Sequence, residues 1–362
     1  MIRRPPRSTL DRSSAASDVY KRQEINMKNI TKVGLSALAG ALAITSVNAG
    51  EMTISGSMEA SYTKGSGYLT TGNPIGMDKE LSVTGSGELD DGTTVSYKQT
   101  ITDAMAFNDS ELVFGNVLGT TASVALTSTG SPISAIDDVT PTAFEEANAL
   151  IGSIDDVNGM DGTYGIRVTM ADFMGTGFKI DGMYSTDVGS GDAQSDNGSS
   201  GETGGTSDKG LELTVTGSVP MVEGLDVGVG YYDQDTDSTI TTGNYGQQEG
   251  TAYVKYSTGP VSLGYQKGVV TNYTGGAEET QFTNNYYGIS YKVSDSISVS
   301  YNEMESRKVV GGSDIEQYFD SISLSYTVGG MTIGFQEANT DNANHVTDSE
   351  DDTRTLGISV AF

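Results

Sequence analysis

The chain of 362 residues has no cysteine, no tryptophan, one histidine and seven prolines. Without thiols, neither disulfides nor thiolate metal sites hold the fold, and with one histidine no His/Cys metal cluster or Ser-His-Asp arrangement is credible. Basic residues are scarce: 20 Lys and Arg stand against 48 Asp and Glu, a formal charge of −28. A phosphate-tracking protein needs a basic face, so nucleic-acid binding is excluded. Long apolar runs are missing too. After Val47 no stretch approaches the ~18 apolar residues of a membrane helix. Leu, Ile, Val and Phe make up only about a fifth of the chain, a composition that borders on disorder unless a periodic pattern organises it.

The few basic residues are concentrated at the start. Residues 1–26 carry Arg3, Arg4, Arg7, Arg12, Lys21 and Arg22, the adjacent Pro5 and Pro6, and no periodic pattern. This segment reads as an extraneous extension resembling a translated adapter. At Met27 a second start appears, with Lys28 and Lys32 ahead of the apolar Val33–Val47 and a small-residue cleavage site at Val47-Asn48-Ala49. The expected organisation is therefore extension 1–26, signal peptide 27–49 and one domain over 50–362. Residues 1–49 hold 8 of the 20 basic and 3 of the 48 acidic residues, which leaves 12 against 45 and a charge of −33 beyond them.

What is there is alternation. Ile54, Met58, Ala60 and Tyr62 oppose Ser55, Ser57, Glu59 and Ser61; Val95, Tyr97 and Ile101 oppose Ser96, Lys98 and Thr100. The same period of two runs through Tyr164–Met170, Leu211–Val219, Leu225–Tyr231, Ile297–Tyr301, Ile322–Val328 and Leu356–Phe362. It is the period of strands with one apolar face. Connections sort by length. Short ones such as Asp90-Asp91-Gly92, Thr258-Gly259-Pro260 and Gly329-Gly330 alternate with long ones over Thr63–Asp78, Thr102–Asn108, Ser128–Asp161, Asp187–Asp208, Asp235–Gly246, Val269–Glu279, Arg307–Asp314 and Asp341–Asp352. Five runs before Ser128 and eleven after Asp161 predict an all-β, antiparallel up-and-down barrel of about 16 strands. Ten-residue strands tilted ~40° span about 25 Å, the height of an outer-membrane apolar band. The inward Ser, Thr, Gly and charged residues then face water.

Four features together resemble the trimeric, sixteen-stranded Gram-negative porins: the signal peptide, the sixteen runs, the long third loop after the fifth strand, and the ending TRTLGISVAF. In that ending Leu356, Ile358, Val360 and Phe362 share one face and the chain stops at an aromatic. The resemblance covers Glu51 to Phe362. It implies a transmembrane barrel in the outer membrane with the third loop folded into the lumen. It also implies an assembly signal at Leu356, Ile358, Val360 and Phe362, and contact with outer-membrane lipid, lipopolysaccharide and the assembly machinery. A homotrimer is implied as well, although the short second loop, Thr102–Asn108, weakens the usual latch. The family's cluster of arginines facing the third loop has no full counterpart, since only Arg167, Arg307 and Arg354 follow residue 49.

The third loop carries Asp137, Asp138, Glu145, Glu146, Asp155, Asp156 and Asp161 and no basic residue. Carboxylates in a narrow aqueous constriction concentrate cations. Asp137, Asp138, Glu145, Glu146, Asp155 and Asp156 are the expected constriction, and strand parity points Lys98, Arg167, Lys179 and Lys255 inward as the facing wall. Asp155, Asp156 and Asp161, with Asn158 and a nearby glycine, offer hard oxygens for Ca2+, the one cofactor to consider. His345 reads as an exposed loop residue. No catalytic constellation is present, so the expected function is a passive, cation-preferring, water-filled channel for small hydrophilic solutes. Two alternatives stay open: a solute-specific channel, to which Tyr232 and Tyr253 could contribute by parity, and a surface adhesin with a plugged lumen.

Overall fold

A computed structural model describes residues 50–67, 72–102, 107–128, 130–149, 154–186, 188, 209–235, 244–274 and 279–362. Residues 1–49, with the expected extension and signal peptide, lie outside it. By its contacts the chain divides into Met1–Met52 and Thr53–Phe362, and the second unit is the barrel.

Sixteen strands close in sequence order: β1 (Glu51–Gly67), β2 (Ile75–Glu88), β3 (Thr94–Ile101), β4 (Phe107–Gly115), β5 (Ala122–Thr127), β6 (Gly165–Met170), β7 (Phe178–Ser185), β8 (Lys209–Ser218), β9 (Leu225–Asp235), β10 (Asn244–Thr258), β11 (Val261–Thr274), β12 (Thr280–Lys292), β13 (Ile297–Val310), β14 (Ser313–Val328), β15 (Met331–Asp341) and β16 (Glu350–Ala361). Each pairing for which the register is resolved is antiparallel. The seam joins β1 to β16 from Ser57↔Ala361 to Gly67↔Asp351. Gly56 and the terminal Phe362 exchange both backbone hydrogen bonds, at 2.9 and 3.0 Å, so the last residue completes the closure. A closed sheet leaves no unpaired edge for lipid to desolvate.

The outward phase is the apolar one. Ile54, Leu81, Leu126, Ile166, Leu211, Val229, Ile322, Leu324, Leu356 and Ile358 are exposed on the outer wall. Tyrosines take the interface positions that tryptophan would share. Tyr256, Tyr291 and Tyr326 sit beside the short turns, and outward Tyr265 and Tyr287 pair across β11 and β12 with ring centroids 5.2 Å apart.

Two short turns share one design. In Asn116–Thr120 and Asp172–Thr176 the third residue, Leu118 or Met174, adopts φ 55°, and the threonine hydroxyl donates back to the carbonyl of Val117 (2.7 Å) or Phe173 (2.6 Å). One connection departs from the expected rhythm. Arg307–Asp314 is not a long loop: β13 and β14 pair up to Val310↔Ser313 around Gly311-Gly312. Both glycines have positive φ, 57° and 79°, as a two-residue hairpin turn requires. Charged side chains end the apolar pattern there, but the backbone ladder continues beyond it.

Candidate functional site: the loop-lined lumen

The third loop is held inside the barrel by inward side chains of successive strands. Arg167 on β6 donates to the Gly130 carbonyl at 2.6 Å where the loop begins. Gln266 on β11 accepts from Val139 N at 2.9 Å and donates to the Ile136 and Asp137 carbonyls at 2.7 and 2.6 Å. On β13, Asn302 donates to the Pro141 carbonyl at 3.0 Å and Ser300 accepts from Ala143 N at 2.9 Å. Gln336 on β15 donates to the Glu145 and Glu146 carbonyls, both at 2.8 Å. The returning arm is met by Asn284 on β12, which donates to the Asp155 carbonyl at 2.8 Å, and by Asn272 on β11, which donates to the Asp155 carboxylate at 3.1 Å. The loop thus crosses from β6 towards the β15–β16 wall and comes back.

Two kinds of residue make room for it. Inward glycines let the loop approach: a Cβ at Gly264 would overlap Pro141, and one at Gly334 or Gly357 would overlap the ring of Phe144. Inward apolar residues form its seat. Met183, Tyr232, Val270 and Phe282 bury Ile133, Val157 and Met160 of the loop, while Tyr286, Met304 and Phe319 bury Ala147. These residues break the outward-apolar rule because the lumen there is filled by protein. Tyr232 is 1% exposed and belongs to this seat, so it lines no solute track, and the Tyr253 ring packs where a Cβ at Gly228 would be.

The expected constriction carboxylates divide by exposure. Asp138 and Asp155 are exposed, and Asp137, Glu145, Glu146 and Asp156 are half-buried. Burial, then the adjacent Asp138, pushes Asp137 up to about 8. Burial, then Asp138, pushes Glu146 up to about 7, and burial alone dominates for Asp156, also at about 7. Glu145 is raised by burial and by Glu59 of β1. Asp138 is the one neighbouring charge common to Asp137, Glu146 and Asp156, and it raises all three. Asp155 and Asp156 are held by Asn272, Asn284 and the Val157 amide (2.8 Å), and among the described residues no three acidic or histidine side chains are gathered around one metal position.

All four expected wall cations lie on the inner phase, two of them paired with a carboxylate and two placed opposite one in the strand register. Asp181, fully buried, takes Arg167 Nε at 2.9 Å and Lys179 at 3.0 Å. Lys98 lies opposite Glu111, and Lys255 opposite Asp226, in the strand register. The same phase turns Glu59, Glu80 and Glu88 inward on β1 and β2. Among the described residues no strong basic face opposes the acidic loop.

His345 corrects the expectation of an exposed residue. It is 6% exposed, lies edge-on to Phe282 at 5.6 Å between centroids, and its Nε2 is 3.1 Å from the Ser306 carbonyl oxygen. The eighth loop folds on itself to place it there: Asn342 Oδ1 accepts from Asp348 N at 3.0 Å and Ser349 Oγ donates to the Ala343 carbonyl at 2.8 Å. Burial lowers its pKa.

No family model matches the chain, and no curated protein matches it. Solved structures do. A porin matches with a TM-score of 0.59 at 13% identity, over 86% of this chain and 100% of its own. An anion-selective porin from Comamonas acidovorans matches at 0.61 and 15%, over 86% and 100%. Salmonella typhi OmpF in complex with daunomycin matches at 0.59 and 13%, over 86% and 98%. At these identities the likeness establishes the fold, the sixteen-stranded porin barrel with its lumen.

Proposed function

We propose that the protein is an outer-membrane porin, a passive water-filled channel for small hydrophilic solutes with a preference for cations. The observation that carries this reading is the third loop, seated across the lumen with carboxylates on its water-facing side. Because one structure of this fold is an anion-selective porin, the fold itself does not choose the sign of the ion. What supports a cation preference is the residues: the acidic loop faces a wall on which Arg167 and Lys179 are paired with Asp181, and Lys98 and Lys255 lie opposite Glu111 and Asp226, an arrangement that favours a field of one sign concentrating cations. Outer-membrane lipid and lipopolysaccharide suit the apolar outer wall. The exposed strand end at Leu356, Ile358, Val360 and Phe362 suits the assembly machinery, and a homotrimer is the assembly we expect, as in the trimer form of Vibrio cholerae OmpT. Liposome swelling in sugars of rising size tests the channel. Permeation that falls smoothly with size supports it, one favoured sugar replaces it with a solute-specific channel, and no permeation overturns it.

A further inference from the structure

The outgoing and returning arms of the third loop meet at one place, on the carboxylates of Glu212 (β8) and Glu249 (β10). These lie two strands apart in one register row, either side of Tyr232, and are 1% and 2% exposed. Glu212 uses both oxygens. Oε2 accepts from Ser131 Oγ at 2.7 Å and from Ile133 N at 3.3 Å on the outgoing arm, while Oε1 accepts from Met160 N on the returning arm. Glu249 meets the loop with one oxygen only: Oε2 accepts from Asn158 N at 2.7 Å and Gly159 N at 2.8 Å, and Oε1 accepts from the Gln247 side-chain amide at 2.8 Å. Gly159 lets the arms close, since it has φ 56° and a Cβ there would overlap Glu212 Oε1 and Ile133 and come within 2.7 Å of Ser131 Oγ. Ile133, Val157, Met160 and Tyr232 seal the site from water.

We propose that Glu212 is the positioning residue of the constriction, a buckle that fixes the neck of the third loop by accepting from both arms at once, and that it acts through its two acceptor oxygens rather than through its charge. A buried acceptor that serves donors on two arms ties them together, whereas a buried charge alone would only add to the lumen field. Glu249 is the second clasp and holds the returning arm alone. This inference rests on the porin reading and deepens it.

The geometry makes the two glutamates respond differently to the same chemistry. In Glu212→Gln the amide N–H2 faces a backbone N–H that cannot accept from it, Ile133 N on the outgoing arm or Met160 N on the returning arm, so one arm loses a backbone contact even where the Ser131 hydroxyl turns to accept. In Glu249→Gln the remaining oxygen still faces Asn158 and Gly159, and the amide turns to the Gln247 side-chain oxygen. The experiment is single-channel recording of each variant in planar bilayers in a tenfold KCl gradient, with heat-modifiable migration to show that the barrel is folded. Glu212→Gln and Gly159→Ala are expected to raise open-channel current noise several-fold and to shift the zero-current potential, and Glu249→Gln to match the wild type in both. Equal behaviour of the two Gln variants, shifted or unshifted, would overturn the buckle, since equal shifts are what charge alone would produce. If Glu212→Gln does not fold, Ser131→Ala loosens the outgoing arm more gently and must show the noise. A wild-type protein with no channel steps would instead remove the porin reading itself.

Discussion

Titrating the reconstituted channel from about pH 6 to about pH 9 changes the charge on the third loop while its covalent structure stays the same. Asp137 at about 8, with Glu146 and Asp156 at about 7, together carry about 0.2 negative charges near pH 6 and about 3 near pH 9. These groups lie in the lumen, inside the ~10 Å over which ~0.1 M salt leaves a charge effective. Cation preference should therefore climb across neutrality. The assay is the zero-current potential in a tenfold KCl gradient, whose ideal cation limit is about 59 mV. It should rise towards that limit with a midpoint between about pH 7 and pH 8. Asp138→Asn removes the neighbour that raises Asp137 and Glu146, so the midpoint should move to lower pH. The sign for stability follows from the same shifts. Carboxyls whose pKa rises on folding favour the seated loop while protonated. That contribution is complete below the ordinary carboxylate range and is lost as pH rises through 7 to 8. Current noise should accordingly grow at alkaline pH. A potential that is flat over this range, or that titrates only near the ordinary carboxylate pKa of about 4, would refute the reasoning.

Three other outcomes follow from single contacts. Gly334→Val drives side-chain atoms into Phe144 and should unseat the loop tip at a cost of about 1–3 kcal/mol, seen as altered conductance in a barrel that still migrates as folded. His345 is held neutral by burial, so its seat contributes stability above the ordinary histidine pKa of about 6.5 and loses it as pH falls below that; proteolysis within residues 341–350 should quicken in acid, and His345→Gln should remove the acid dependence. Deleting Phe362 removes both of its hydrogen bonds to Gly56 and should lower the yield of folded barrel, measured as the heat-modifiable fraction in the outer membrane.

The barrel was legible because its signal is local and repeated: a period of two, turn residues at one end and longer polar connections at the other. The loop's seat was not, because it is written in departures from that period. The pairs Tyr231-Tyr232, Val269-Val270, Tyr286-Tyr287 and Tyr318-Phe319 put one apolar residue on each face, and such doublets mark places where the lumen side is also covered by protein. Gly334 and Gly357 look like ordinary small inward residues until Phe144 is placed over them. Gly159 looks like an ordinary loop glycine between Asn158 and Asp161, but it closes the neck of the loop. The wall cations are placed by parity, but the pairing of Arg167 and Lys179 with Asp181, and the position of Glu111 and Asp226 opposite Lys98 and Lys255, depend on which strands are neighbours, and parity says nothing about that. His345 was misplaced for a related reason: a loop's composition is polar whether it points into solvent or, as here, back onto Phe282 and Ser306.

The central claim is that the carboxylates of the third loop are the filter. It is tested most directly by replacing Asp137 and Asp138 with Asn and Glu145 and Glu146 with Gln, then comparing zero-current potentials with the wild type in dilute and in moderate salt. These replacements keep size and leave the backbone bonds to Gln266 and Gln336 in place. The expected result is a potential that moves towards the anion side at both salt concentrations, with channel steps of nearly the same size. Unchanged selectivity at both concentrations would contradict the account and leave the loop as a structural strap across a pore filtered elsewhere.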